Sequence, residues 1–351
     1  MKNRFTMIKV TLLIIISVLM FSCSDDNSSS SEIKINYNKL DEAFVNAGQI
    51  ENLKSLVVSY DGAIIKQVYY NDGGADLPSD VRSVTKSVIG LLVGIAIEKG
   101  QIQSVEQPIG GYLTPLVTNI STEKANIKIK DLLTMSSGFG WEELNSASGY
   151  NNWANSANQV EYLINMPLIA QSGQVFTYNS AALHLLSVII SRSSNIKTID
   201  FAKQYLFDPL EIGSRNWLVD KQGYNNGGAG LQITPIDMIK IGQLVLNKGE
   251  YKGKRIVPAS WIDQLMTAKI STGDIMNFAN GYGYCWWIGQ SSKGNYAFAN
   301  GYGGQFIVVV PNLKLVVVAT NKWNGVETST ARTQWYQTMD LIITGVLGAF
   351  N

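Results

Sequence analysis

Histidine is almost absent from this chain: one residue, His184, in 351. A serine–histidine–acid relay needs a histidine that meets the nucleophile and is oriented by an acid. His184 lies instead in the apolar run Ala181 to Ile190 and reads as a packed helix histidine. The Gly-x-Ser-x-Gly elbow of the α/β-hydrolases is missing too. Only two cysteines occur, Cys23 and Cys285, so neither a disulfide framework nor a zinc site has ligands to draw on. Charge of one sign is also lacking. Lys and Arg number 28 against 27 Asp and Glu, which excludes a basic face for nucleic acid. Any serine chemistry here must take a base other than histidine, and a zinc site is not expected to support it.

The N-terminus reads as an export signal over residues 1–22. Lys2, Arg4 and Lys9 form the positive region, and Val10 to Phe21 an apolar one too short to span a bilayer comfortably. Cys23 follows, then a Ser/Asp/Asn-rich linker to about residue 35 with no capacity to pack. The pattern resembles a bacterial lipoprotein signal with Cys23 as the lipidated first residue, although Met20 and Phe21 stand where leucine and a small residue are usual. Cleavage nearby without lipid is the alternative. Lipidation would place the protein outside the cytoplasm on a bacterial envelope membrane. Removing residues 1–22 leaves 25 basic against 27 acidic side chains. Cys285 would then have no intrachain partner and reads as a small buried thiol.

Ser-x-x-Lys occurs four times, at Ser31, Ser83, Ser121 and Ser194, and context separates them. Three lie in polar stretches. Ser83-Val84-Thr85-Lys86 alone opens a run, Val88 to Ile97, that is apolar on every face and so predicts a helix through the core. Spacing of three residues puts Ser83 and Lys86 on one helical face. Lysine acts as a base only when neutral, so its pKa must fall from about 10.4 to roughly 7–8, at a cost near 4 kcal/mol supplied by burial and dipoles. The positive end of the helix dipole disfavours the ammonium and favours a developing alkoxide. The plain alternative is a capping serine beside a snorkelling lysine.

Leu56–Tyr60, Asp61-Gly62 and Ala63–Tyr70 predict a hairpin. From about 84 to 229 alternating patterns vanish, and helices are expected at Ala181–Ile190 and around Phe201–Phe207. Strands return at Gly281–Ile288, Asn295–Phe298, Phe306–Val310 and Leu315–Thr320, after a Thr234-capped helix with Pro235 at its first position. A last helix runs from about Thr330 to Leu347. The expectation is an α/β (α+β) fold over 36–351: one antiparallel sheet from both ends of the chain, flanked by helices, with a helical lobe inserted. Ser83 falls at the lobe junction, where clefts form.

Tyr178-Asn179-Ser180 is the best second proton-handling group, because it follows a loop and precedes a buried helix that Ser180 would cap. A core tyrosine beside a helix cap is the alternative reading. Ala299-Asn300-Gly301-Tyr302-Gly303-Gly304-Gln305 leads into a strand, and its glycines would let a substrate approach the strand edge. Trp141, Trp153, Trp286 and Trp287 could line an aromatic pocket or pack the core.

In order and spacing, Ser83-Val-Thr-Lys86, Tyr178-Asn-Ser180 and Gly301-Tyr-Gly-Gly-Gln305 resemble the penicillin-recognising serine hydrolases, specifically the class C β-lactamase-related branch with its esterases and 6-aminohexanoate-oligomer hydrolases. Ile129–Gly138, Gly230–Met238 and Gly281–Trp287 are similar to family segments as well, so the resemblance spans roughly residues 50–348. It implies Ser83 as acylated nucleophile, Lys86 as its base partner and Tyr178 as proton relay, phenolate or phenol, in a two-step hydrolysis without metal or cofactor. It also implies an oxyanion hole of the Ser83 and Tyr302 N–H groups, with Gly303, Gly304, Gln305 and Trp141 at the substrate. The third motif departs from the family's Lys-Thr-Gly. Ala299-Asn300-Gly301 offers no cation for a carboxylate, a loss of about 1.5–3 kcal/mol that favours esters and small neutral amides over β-lactams. Glu143-Leu144-Asn145 resembles part of a class A deacylation segment only by chance, with Trp141 at the place of its base. A sensor or scaffold that acylates without turnover would carry the same motifs.

Overall fold

Asp61 and Gly62 adopt positive φ, 47° and 84°, and join β1 (Leu53–Tyr60) to β2 (Ala63–Tyr69) in the expected antiparallel hairpin. Two left-handed residues match the right-handed twist of the flanking strands, which is why Asp-Gly marks this turn. The computed structural model describes residues 33–351 apart from 145, 147, 214 and 215. The export-signal, Cys23 and most of the linker readings lie outside the described residues, as does Asn145.

Six more strands come from the last third of the chain: β3 (Ile270–Ser271), β4 (Gly281–Tyr282), β5 (Trp287–Ser291), β6 (Gly294–Gly301), β7 (Gln305–Val310) and β8 (Leu315–Asn321). All eight form one antiparallel sheet in the order β2-β1-β8-β7-β6-β5-β4-β3. The N-terminal hairpin docks on the last strand, pairing Leu56 with Ala319 and Val58 with Val317. Every residue of β7 and β8 is buried. Both faces of these central strands are therefore covered, and their sequences read as unbroken apolar runs instead of alternating ones.

Helix α1 (Tyr37–Ala47) precedes the sheet, and α2 (Val84–Glu98) is buried from Val84 to Ala96. It packs against α3 (Ser180–Ser194) in the helical lobe and against β6 and β7. Between α2 and β3, among the described residues, no strand joins the main sheet. Helix α4 (Pro235–Leu246) starts with Thr234 and Asp237 in a reciprocal capping box and lies on β7 and β8. Gly242 permits that contact, since a Cβ there would sit 2.4 Å from Val316 Cγ1. Helix α5 (Thr328–Asp340) closes the chain.

Three local expectations are corrected. Gly281–Ile288 is not one strand: Gly283–Trp286 makes a turn with Cys285 at φ 65°, whose N–H donates to Leu133 O and whose carbonyl accepts from Ser87 Oγ on α2. The whole segment is buried, so its apolar pattern hides the break. The last helix does not run regularly to Leu347, because it widens into a π-helix over Leu341–Val346. Ser180 does not cap α3; the cap is Asn179, whose Oδ1 accepts from the Ala182 N–H at 2.9 Å. Cys285 is a free buried thiol, as expected, and burial pushes its pKa up.

Candidate active site

The approach to Ser83 is pinned from several sides. Ser79–Asp80 pairs with Gln232–Ile233, the Val81 N–H donates to Leu231 O, and Thr85 Oγ1 donates to Arg82 O. Arg82 is left-handed, with φ 51°, a conformation that costs a non-glycine residue and is held here by its N–H bond to Asp80 Oδ1 at 2.8 Å. This sharp bend delivers Ser83 to the N-cap position of α2. Its side chain makes no capping bond. The hydroxyl instead accepts from Lys86 Nζ at 2.7 Å, which sets aside the capping-serine alternative.

Lys86 does not snorkel. It is 2% exposed, and its amine reaches Ser83 Oγ and the Gly228 carbonyl, each at 2.7 Å. Burial brings its pKa down from 10.5 to about 8; Arg82 helps, while Glu143 and Cys285 oppose. Tyr178 lies beneath that amine, 4.9 Å from Nζ to the ring centroid, and its ring stacks on Trp287 at 5.9 Å. Burial and then the Glu143 carboxylate push the phenol well above 10, and the hydrogen-bonded Ser83 hydroxyl offsets only part of this. The two groups are thus driven apart: near neutrality the amine is within reach of its neutral form while the phenol keeps its proton.

Glu143 belongs to this set. Its Oε2 accepts from the Ser180 N–H and from Trp141 Nε1, both at 2.9 Å, and its Oε1 accepts from the Ser180 hydroxyl. The carboxylate therefore sits at the positive end of α3, close enough to bias both Lys86 and Tyr178. Its Ser180 partner is 37 residues away in sequence, so the local pattern Glu143-Leu144-Asn145, read as chance, does not show this role. Arg82 is the other group that sequence reasoning missed. Its guanidinium lies 4.3 Å over the Trp323 ring, Nη1 is 3.7 Å from Asp80 Oδ2, and the Tyr150 hydroxyl is bonded to it. Among the described residues its buried Nε has no partner.

The third motif meets Ser83 through backbone. Gly301 ends β6 against the segment before α2, where a Cβ would lie 2.4 Å from Val81 O. What approaches closely at this glycine is the chain leading to the nucleophile. Tyr302 follows at the turn, exposed, with its ring edge-on to Trp323 at 6.5 Å. Among the described residues no protein acceptor takes the backbone N–H of Ser83 or Tyr302. Gly303, Gly304 and Gln305 serve the turn. Gly303 O accepts from Gln334 Nε2 and Gly304 O from Asn321 Nδ2; the Gln305 side chain is fully buried, donating from Nε2 to Asn321 O and accepting at Oε1 from the Asn321 N–H. Gln305 thus does not face a substrate, and side chains at the two glycines would collide with Trp323 and Asn321. Trp141 is buried as well, bonded to Glu143 and edge-on to Trp153. Asn300, the middle residue of the third motif, accepts at Oδ1 from Trp335 Nε1 at 2.6 Å.

Trp153, Trp286 and Trp287 are each at most 2% exposed, which puts them in the core. A polar cleft of about 520 Å³ around Lys128, Gln171 and Lys269 contains none of Ser83, Lys86, Tyr178, Glu143, Arg82 and Tyr302.

Comparison with known proteins gives a consistent picture. The β-lactamase family model matches residues 54–337. A curated relative, 6-aminohexanoate-dimer hydrolase of Paenarthrobacter ureafaciens, is 24% identical over 283 residues, 75% of this chain and 71% of that protein. Among solved structures, the octameric penicillin-binding protein homologue from Pyrococcus abyssi matches with a TM-score of 0.67 and 19% identity over 90% of this chain and 78% of that one. EstCE1, described as a hydrolase with promiscuous acyltransferase activity, matches with a TM-score of 0.67 and 16% identity over 85% of this chain and 99% of that one. At these identities the structural likenesses show the fold.

Proposed function

The chain belongs to the β-lactamase family and is a serine hydrolase of that fold, and from that premise we propose that it hydrolyses esters or small amides through an acyl-enzyme on Ser83. One observation carries the reading: a buried amine, drawn down to about 8, sits 2.7 Å from a serine hydroxyl that caps nothing. Lys86 takes the Ser83 proton as Oγ attacks the carbonyl, and the Ser83 and Tyr302 N–H groups receive the oxyanion. Tyr178, held as a phenol, donates to the leaving group and is reprotonated through Lys86. Water then releases the acyl group.

For the substrate, the third motif Ala299-Asn300-Gly301 carries no cation, with Ala299 in the place of the lysine, which disfavours the carboxylate-anchored β-lactams. The curated relative, a hydrolase of 6-aminohexanoate dimer, supports a linear amide. Intact-mass measurement on wild-type protein tests this with chromogenic esters, a chromogenic cephalosporin, D-amino-acid amides and 6-aminohexanoate dimer. The expected result is a transient acyl adduct on Ser83, return to the free mass and released product with esters or linear amides. A persistent adduct without product would make the protein a sensor, and no adduct with any substrate would remove the acyl-enzyme.

We also propose export and lipidation at Cys23, supported by the charged and apolar segments before it and the unpackable linker after it. Cys23→Ala is expected to move the protein from the membrane to the soluble fraction on fractionation. An unchanged distribution would rule out the anchor.

A further inference from the structure

His184, the chain's single histidine, is fully buried on α3, and its hydrogen-bond partners are Asp220 and Gly227, not Ser83 or Tyr178. Its two ring nitrogens are both used. Nδ1 accepts from the Gly227 N–H at 3.4 Å, and Nε2 lies 3.1 Å from Asp220 Oδ2. A backbone N–H can only donate, so Nδ1 carries no proton and Nε2 donates to the carboxylate. Asp220 is itself fixed, accepting the Gln222 and Tyr224 N–H groups on Oδ1 at 2.8 and 2.9 Å. One residue beyond Gly227 comes Gly228, whose carbonyl holds the Lys86 amine.

The loop carrying that carbonyl lies flush on α3. A Cβ at Gly227 would meet Leu183 O at 2.3 Å, and one at Gly228 would meet Ser180 O and Cβ at 2.8 Å. Asn226 Oδ1 takes the Gly228 and Ala229 N–H groups from the other side. We propose that His184 and Asp220 are positioning residues for the base: they clamp the Asn225–Ala229 loop so that the Gly228 carbonyl fixes the rotation of the Lys86 amine. This rests on the hydrolase reading and adds a second layer to it.

A neutral amine has two N–H bonds and one lone pair. With one N–H held by Gly228 O, the lone pair can be directed at the Ser83 hydroxyl 2.7 Å away; without that hold the amine rotates, and a misplacement of about 1 Å can cost up to about a hundredfold. The carbonyl also favours the ammonium, so its withdrawal lowers the lysine pKa further. The other groups facing the amine are Glu143, Arg82, Cys285, Ser83 and Tyr178, none of which is on the clamped loop.

Two variants separate clamping from packing. His184→Gln keeps a polar group toward Asp220 and loses the acceptor for Gly227, whereas His184→Asn places an oxygen near the position of Nδ1 and keeps it. His184→Gln is expected to lower kcat about tenfold with little change in KM. It should also shift the Lys86 ¹⁵Nζ titration, followed by NMR, to lower pH, while His184→Asn recovers most of both. Unchanged kcat and titration in His184→Gln, or equal losses in the two variants in step with their melting temperatures, would overturn the clamp. If wild-type Ser83 takes no acyl group, the hydrolase reading falls, and the clamp is still judged by the Lys86 titration.

Discussion

Ser83→Ala and Lys86→Met are each expected to lower turnover by roughly 10⁴–10⁶-fold, and the double variant by no more than the worse of the two. Nucleophile and base act as a unit across one 2.7 Å contact, so removing either leaves only binding and the oxyanion donors. In the wild type the acid limb of kcat/KM should have its midpoint near pH 8, because activity requires the neutral amine and burial sets its pKa at about 8. The same shift predicts a stability signature. Between about 8 and 10.5 the unfolded chain holds a proton that the folded chain has released, so stability rises with pH through this window. At about 1.4 kcal/mol per unit the full gain is roughly 3 kcal/mol, and below pH 8 the contribution is flat. The buried Cys285 thiol, raised from 9.0, takes stability away from about pH 9 upward, and Tyr178 does so beyond pH 10. The net rise in wild type is therefore concentrated between about pH 8 and 9, and the comparison with Lys86→Met isolates the lysine. Denaturant unfolding at pH 7 and 9.5 should show the rise in wild type and its loss in Lys86→Met. Parallel curves for the two proteins would contradict a buried, partly deprotonated lysine.

The elements that sequence showed well are those whose signal is local. The Asp-Gly hairpin, the all-apolar α2, the capping box at Thr234 and the central strands β7 and β8 each follow from periodicity or turn chemistry within ten or so residues. Ser83 was separable from three other Ser-x-x-Lys patterns because burial of the following helix is itself a sequence pattern. The groups that tune the site were not visible in this way. Glu143, Arg82 and Gly228 act through contacts made only in the folded chain, between the lobe and the start of α2. Gln305 misled for the same reason, since a polar residue beside a glycine turn can serve a substrate or, as here, its neighbouring strand. His184 was read as packing, and it is packed; its partners lie on a loop some 36 to 43 residues downstream that no spacing rule connects to it.

Tyr178→Phe is expected to lower amide hydrolysis by about 10²–10⁴-fold while leaving hydrolysis of an activated nitrophenyl ester within roughly tenfold of wild type. Phenylalanine keeps the ring, and so keeps the stack on Trp287 and the face presented to Lys86, which confines the change to one hydroxyl. An amine leaving group must be protonated as it departs, whereas a nitrophenolate leaves without a proton. The split between substrates therefore reports the phenol acting as an acid. A phenolate acting as the base for Ser83 would instead be needed for acylation by every substrate, and Tyr178→Phe would then depress ester and amide alike. Burial and Glu143 hold this phenol protonated, and the amine at 2.7 Å from Ser83 is the group with a usable lone pair. Pre-steady-state acylation rates with a matched ester and amide decide between the two. Equal losses would transfer the base role from Lys86 to Tyr178, and a selective loss on the amide fixes Tyr178 as the donor to the leaving group.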